Sequence, residues 1–184
     1  MTDSPTADDL GGRFVSRVVA IPADALVLLI GIAASGKSTF ARRHFSPTQI
    51  VSSDAMRAMI TDDPTAQAAT EDAFDLLHRL LAMRLRRGRL TVVDATNVEG
   101  WARAELVAVA RRHQRPAVAV VIDVPLAVAL ERNATRAAPR PPPAALRRQA
   151  RWLAESPLEE EGFDAVHRLS GEEVDAARVE VVRG

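Results

Sequence analysis

The chain has 184 residues, 47% of them hydrophobic, with 24 basic and 24 acidic residues, no formal net charge and no cysteine. That length favours one domain and is enough to bury roughly 70% of the unfolded surface. Lack of cysteine excludes disulfides, zinc–thiolate sites and thiol nucleophiles. No apolar run is long enough to span a membrane, and the acidic residues 1–10 do not read as a signal peptide, so a cytoplasmic protein is expected.

In chain order, residues 1–14 are expected to form a disordered leader and 15–184 a single domain. Residues 15–21 predict a short strand leading into the first core strand. Leu26-Val27-Leu28-Leu29-Ile30 is a continuous apolar run of the kind buried on both faces of a parallel sheet. A helix is predicted over 37–44, ended by Pro47. A short strand follows over 49–52, then a helix over 54–60. A longer helix over 70–87 carries Phe74, Leu77, Leu80, Leu81 and Leu85 near helical spacing and stops at Gly88. The third core strand is predicted over 90–93, a helix over 99–113, and a buried strand within 116–124. Pro125 opens the next helix, which runs through Arg132 towards Arg136. Pro139 and Pro141-Pro142-Pro143 break it, and helix resumes over 144–155. A strand over 163–169, a short helix over 171–176 and a last strand over 179–182 complete the chain. Strands alternating with helices predict an α/β fold with a parallel sheet covered on both faces.

Ligands of such sheets bind at the carboxyl ends of the strands. Three polar clusters fall there: Gly31–Ser38, Ser52–Asp54 and Asp94–Asn97. The first reads G-x-x-x-x-G-K-S, a P-loop whose backbone N–H groups, lysine and serine cradle nucleotide phosphates. Its Lys37 is the only lysine of the chain, and arginine supplies every other cationic side chain counted among the 24. A tight loop needs a compact ammonium, which the planar guanidinium replaces poorly. Gly31, Ala33, Ala34, Ser35, Gly36, Lys37, Ser38 and Thr39 are the candidate nucleotide-binding residues. Ala34 stands where many P-loops have glycine. Ser38 suits Mg²⁺, and Asp94 would help to hold that ion through water.

Asp54 reads either as a helix N-cap or as a general base for an acceptor hydroxyl. Arg57, three residues on, lies on the same helical side and either grips an anionic acceptor group or is a surface arginine. Thr96 and Asn97 either cap the next helix or orient the acceptor. Arg132 and Arg136 are four apart, on one helical face, in a stretch from 132 to 151 with six arginines and no acid. That stretch, about 132–150, is expected to be a lid whose arginines stabilise charge on the transferring group. Arg147, Arg148 and Arg151 either bind a polyanion backbone or form the exposed face of a helix whose Leu146, Trp152 and Leu153 pack inwards. The acidic run from Glu155 to Asp175 reads as a solvated surface.

Together, Gly31 to Phe40, Ser52-Ser53-Asp54-x-x-Arg57, Val93-Asp94-Ala95-Thr96-Asn97 and Glu131-Arg132-Asn133-x-x-Arg136 resemble the 5′-hydroxyl polynucleotide kinase module. The resemblance is closest to the kinase module of bacterial polynucleotide kinase-phosphatase RNA-repair enzymes and covers about 19–182. It implies an adenylate-kinase-like P-loop fold and transfer of the γ-phosphate of ATP, or another NTP, to a 5′-OH end of RNA or DNA. It further implies that Lys37 and Ser38 hold ATP phosphates and Mg²⁺, that Asp54 activates the 5′-hydroxyl, and that Arg57 contacts the phosphate beside the acceptor nucleotide. Arg132 and Arg136 would engage the donor phosphates. The phosphatase and ligase modules fused in that family do not fit within 184 residues, which implies separate repair partners or an excised domain. Two other readings stand beside this one. A small-molecule P-loop kinase fits the few aromatics (4%, no tyrosine). A non-catalytic nucleotide-binding regulator fits the P-loop alone.

Overall fold

The computed structural model describes residues 17–137 and 140–183. The leader expected over 1–14, and Pro139, lie outside the described residues. Seven strands are described: β1 (Val18–Pro22), β2 (Leu26–Ile30), β3 (Ile50–Ser52), β4 (Thr91–Asp94), β5 (Ala117–Asp123), β6 (Ala165–Ser170) and β7 (Arg178–Val182). The helices between them are α1 (Lys37–His44), α2 (Ser53–Thr61), α3 (Thr70–Arg86), α4 (Gly100–Arg112), α5 (Leu126–Thr135), α6 (Pro143–Ala154) and the single turn α7 (Glu173–Ala176).

Five strands form a parallel sheet in the order β3-β4-β2-β5-β6. Both faces are covered, as the unbroken apolar run of β2 requires. Val27 and Leu29 face a core with Phe40 and Ala41 of α1, Ala129 of α5 and Leu146 of α6. Leu26, Leu28 and Ile30 face the opposite core, with Leu77, Leu81 and Leu85 of α3 and Leu106 and Ala110 of α4. Side chains alternate along a strand, so each residue of β2 is claimed by one layer or the other.

β1 precedes the first core strand, as expected, but lies outside the five-stranded sheet. It pairs with β7 in a separate two-stranded parallel ladder, Val18 opposite Arg178 through Pro22 opposite Val182. Val19 and Ile21 point into the α1-side core, whereas Val18, Val181 and Val182 are exposed.

α3 is the longest helix and contributes Leu77 at full burial. Truncating such a side chain leaves a cavity as well as losing its transfer energy. Leu77→Ala should lower unfolding free energy by about 2–5 kcal/mol in chemical denaturation; a loss under about 1 kcal/mol would mean that this layer closes over the gap more freely than a packed core does.

Candidate functional site

The P-loop joins β2 to α1, so the N-terminus of α1 points at the carboxyl edge of the sheet. A Cβ at Gly31 would lie 2.7 Å from the Ile122 carbonyl oxygen and 2.8 Å from Ser35 Oγ, and there is no room for it. Gly36, the residue before α1, has φ +106, which a side chain resists. Ala34 takes the left-handed turn at φ +63 despite its methyl group, a conformation that costs an L-residue roughly 1–2 kcal/mol.

Lys37 is only 7% exposed. Its ammonium donates to the Gly31 carbonyl at 2.9 Å, the Ile32 carbonyl at 2.8 Å and Ser35 Oγ at 3.3 Å. All three N–H donors are used, and the loop is folded around the charge. Burial pushes its pKa from 10.5 down to about 8; the Asp94 carboxylate opposes that shift, Arg136 adds to it, and Asp54 opposes it. Asp94 at the end of β4 accepts a hydrogen bond from Ser38. Burial raises its pKa above the usual carboxylate value, and the Ser38 bond and the Lys37 charge pull it back. Among the described residues no group of three His, Cys, Asp or Glu side chains could hold a metal. The Ser38 hydroxyl and Asp94 carboxylate are hard oxygen donors, which suits Mg²⁺ completed by nucleotide oxygens and water.

Asp54 is not the N-cap. The helix starts one residue earlier than predicted, at Ser53, and Ser52 caps it by accepting from the Ala55 N–H at 3.5 Å. Asp54 is thereby left in the first turn, exposed, with its carboxylate paired to the Arg57 guanidinium. Arg57 is not a surface residue: it is 8% exposed, and its Nε also donates to the Pro64 carbonyl at 3.1 Å. The strand that leads into this helix, β3, is separated from β2 by β4. Asp54 therefore faces the P-loop across the Asp94 end of β4 rather than from an adjacent strand, and its charge still reaches Lys37.

Thr96 and Asn97 do not cap the next helix, whose N-cap is Glu99 without a side-chain bond. They lace the β4 loop to the P-loop strand instead. The Gly31 N–H donates to the Thr96 carbonyl at 3.0 Å. Asn97, buried and at φ +49, donates from Nδ2 to the Leu29 carbonyl at 2.7 Å.

Arg132 and Arg136 do not share a helical face. α5 ends at Thr135, and Arg136 is extended. Arg132 nevertheless approaches the P-loop, donating from Nη1 to the Ser35 carbonyl at 3.4 Å, and the Arg136 charge acts on Lys37. Both are exposed. Arg140 donates from Nε to the Arg136 carbonyl. Buried Asn133 bridges the break between the helices through the Pro141 carbonyl at 2.9 Å. On α6, Leu146 is fully buried while Arg147, Arg148 and Arg151 are exposed, and Arg148 lies over the Trp152 ring at 5.2 Å.

Gln149 escaped the sequence reading. From α6 its Oε1 accepts the Ala33 N–H at 2.8 Å, fastening that helix to the P-loop. No local pattern announces a contact across 116 residues. Behind the loop, a cavity of about 330 Å³ opens between Ile32, the Asp123–Leu126 turn and Ala150, Leu153 and Ala154 of α6; Lys37, Asp54 and Arg57 do not line it.

A profile of the AAA domain family matches residues 26–156, from β2 to just beyond α6. The chain belongs to that family. The matched stretch contains the P-loop, the Asp54–Arg57 pair, the Asp94–Asn97 loop, Arg132 and Arg136. A protein from Chloroflexus aurantiacus J-10-fl, provisionally described as a kinase, superposes at a TM-score of 0.61 with 16% identity, covering 80% of this chain and 88% of that one. A chain of the Pnkp1/Rnl/Hen1 RNA repair complex superposes at 0.63 with 21% identity, over 77% of this chain and 47% of that one. A gluconokinase from Sinorhizobium meliloti 1021 superposes at 0.52 with 19% identity, over 84% and 90%. At these identities the likeness is one of fold, and the α/β architecture of P-loop kinases is common to all. No curated protein sequence matches significantly. Among the described residues no helix is long and apolar enough to cross a membrane.

The depressed Lys37 pKa gives this AAA domain a pH signature. Without nucleotide, the ammonium loses its proton as pH rises through about 8. Bound phosphates favour the charged form. ATP affinity should therefore fall as pH rises from 7 to 9, with proton uptake on binding visible in calorimetry across buffers of different ionisation enthalpy. Pure linkage also requires the unfolded chain to carry more protons than the folded one between about 8 and 10.5, so this group's contribution to stability rises across that window. ATP affinity independent of pH over the same range would contradict the burial of an ionising Lys37.

Proposed function

We propose that the chain is an ATP-dependent polynucleotide 5′-hydroxyl kinase, a single kinase domain over 15–184 that acts on RNA or DNA ends. The observation that carries the reading is the Asp54–Arg57 pair at the carboxyl edge of the sheet, close enough for Asp54 to act electrostatically on the P-loop lysine.

In this reading the N–H groups at the start of α1, with Lys37, Ser38 and Thr39, hold the donor phosphates. Arg132 and Arg136 approach from the lid, where fixed positive charge stabilises the γ-phosphoryl group in transit. Mg²⁺, when bound through Ser38 and by water to Asp94, would neutralise phosphate charge. Asp54 accepts the proton of the acceptor hydroxyl as that oxygen forms its bond to the γ-phosphorus. The bond from the γ-phosphorus to the bridging oxygen breaks, and ADP leaves. Arg57 orients the Asp54 carboxylate and presents positive charge to an acceptor phosphate. Thr96 and Asn97 shape the floor between the two sites. Separate phosphatase or ligase proteins would prepare and seal such ends; the RNA repair complex among the fold relatives is in keeping with that arrangement.

A small-molecule acceptor is the second reading. Arg57 already gives two of its N–H donors to Asp54 and to the Pro64 carbonyl, and a neutral acceptor such as a sugar would leave those bonds undisturbed.

Wild-type protein given γ-labelled ATP, Mg²⁺ and a 5′-OH oligonucleotide should label the oligonucleotide, and a parallel panel of sugars and nucleosides should stay largely unlabelled. Label confined to a small acceptor would transfer the assignment to the second reading, and none anywhere would leave a nucleotide-binding regulator. Asp54→Ala should lower transfer by about 10²–10⁴-fold, the usual contribution of a general base, while ATP binding stays within about threefold.

A further inference from the structure

Arg103 is the largest fully buried side chain among the described residues, at 0% exposure. A guanidinium cannot shed its charge, so its burial demands pairing. The pairing is extensive and directional, with four of the five N–H donors bonded. Nε and Nη2 form a two-pronged bridge to the two oxygens of Glu161, each at 2.5 Å. Nη2 also donates to Ser156 Oγ at 2.8 Å, and that hydroxyl donates to the Trp152 carbonyl at 2.7 Å. The remaining prong, Nη1, donates to the Asn97 carbonyl at 2.8 Å.

These contacts join three parts of the site. Asn97 belongs to the loop after β4 and reaches back to Leu29. Trp152 lies on α6, which grips the P-loop through Gln149 and Ala33. Ser156 and Glu161 follow α6. A bridge of hydrogen bonds thus runs from the β4 loop, through Arg103, to the lid helix and back to the P-loop. A hydrophobic residue would fill the space as well and would often be no less stable than a buried ion pair. What it could not do is hold the Asn97 carbonyl at a fixed distance from α6.

We propose that Arg103 is a positioning residue: it sets the Asp94–Asn97 loop against the lid helix and so fixes the acceptor side of the cleft. The assignment of that loop to the acceptor rests on the kinase reading above. The donor side is tied to Arg103 only at second hand, through Asn97 to Leu29 and through α6 and Gln149 to Ala33. The phosphate-facing N–H groups belong to the start of α1, and Lys37 is held by Gly31, Ile32 and Ser35, whereas Arg103 bonds to Asn97, Ser156 and Glu161.

Arg103→Lys, which keeps the charge but loses the fork, and Glu161→Gln, which keeps the shape but loses the countercharge, should therefore split the kinetics. In folded Arg103→Lys, the acceptor KM should rise or kcat fall by about tenfold or more, since sub-ångström misplacement is costly, while ATP affinity moves less than about threefold. Amide hydrogen exchange should quicken over residues 94–98 and stay unchanged over 26–30. If Arg103→Lys does not fold, Glu161→Gln carries the same test with smaller shifts. Unchanged exchange over 94–98 in a folded variant would overturn the proposal, as would ATP affinity and acceptor KM deteriorating in parallel. Failure of the wild type to phosphorylate any acceptor would defeat the kinase reading instead, and the exchange measurement would still decide the positioning role.

Discussion

A protonated lysine buried at the edge of a hydrophobic sheet is expensive, and the carboxyl end of this sheet is organised around meeting that cost. The Lys37 ammonium is surrounded by two backbone carbonyls and a hydroxyl of its own loop, with Asp94 and Asp54 supplying negative charge beyond them. Those carbonyls can converge only because Gly31 sits hard against Ile122 and Gly36 turns left-handed. An oxygen cage that satisfies a cation in the absence of ligand is also one that phosphate oxygens can replace. The lysine is therefore held charged at neutral pH at the carboxyl edge of the sheet.

The sheet order explains how the remaining groups gather. β4 lies between β2 and β3, so its terminal Asp94 stands between the P-loop and the Asp54–Arg57 pair. From there it accepts from Ser38 of α1 and acts on Lys37. Beyond it, α2 at the end of β3 carries Asp54 and Arg57. On the other side, the β5–α5 connection leads to Arg132 and Arg136. No single segment contains the site; parallel crossovers bring four separate segments to one edge, as expected of open α/β sheets.

Much of this was legible locally. The apolar run Leu26–Ile30, the P-loop and the helix Lys37–His44 appear with the predicted bounds, because their signals lie within one stretch of chain. What failed was local inference about which side chain does which job. Asp54 reads as a good cap, but Ser52 precedes it and takes that bond. Asn97 reads as a cap too, yet its amide is spent on Leu29, 68 residues earlier. Arg132 and Arg136 match a helical repeat, yet the helix ends between them. Gln149 and Arg103 carry no pattern at all, because their partners are 116 and 58 residues away. Long-range polar pairing is a property of the folded topology, and a helix-period or motif reading has no access to it.

If the compact charge of Lys37 is the constraint around which the site is built, charge alone will not replace it. Lys37→Arg is the sharpest probe, because arginine serves at every other cationic position outside histidine in this chain. The measurement is γ-phosphoryl transfer from ATP by the folded variant, with its fold checked by circular dichroism and thermal unfolding. The account predicts a protein that folds but loses transfer by about 10²-fold or more, as when a group aimed at transition-state charge is removed. Transfer by Lys37→Arg at near wild-type rates would contradict it.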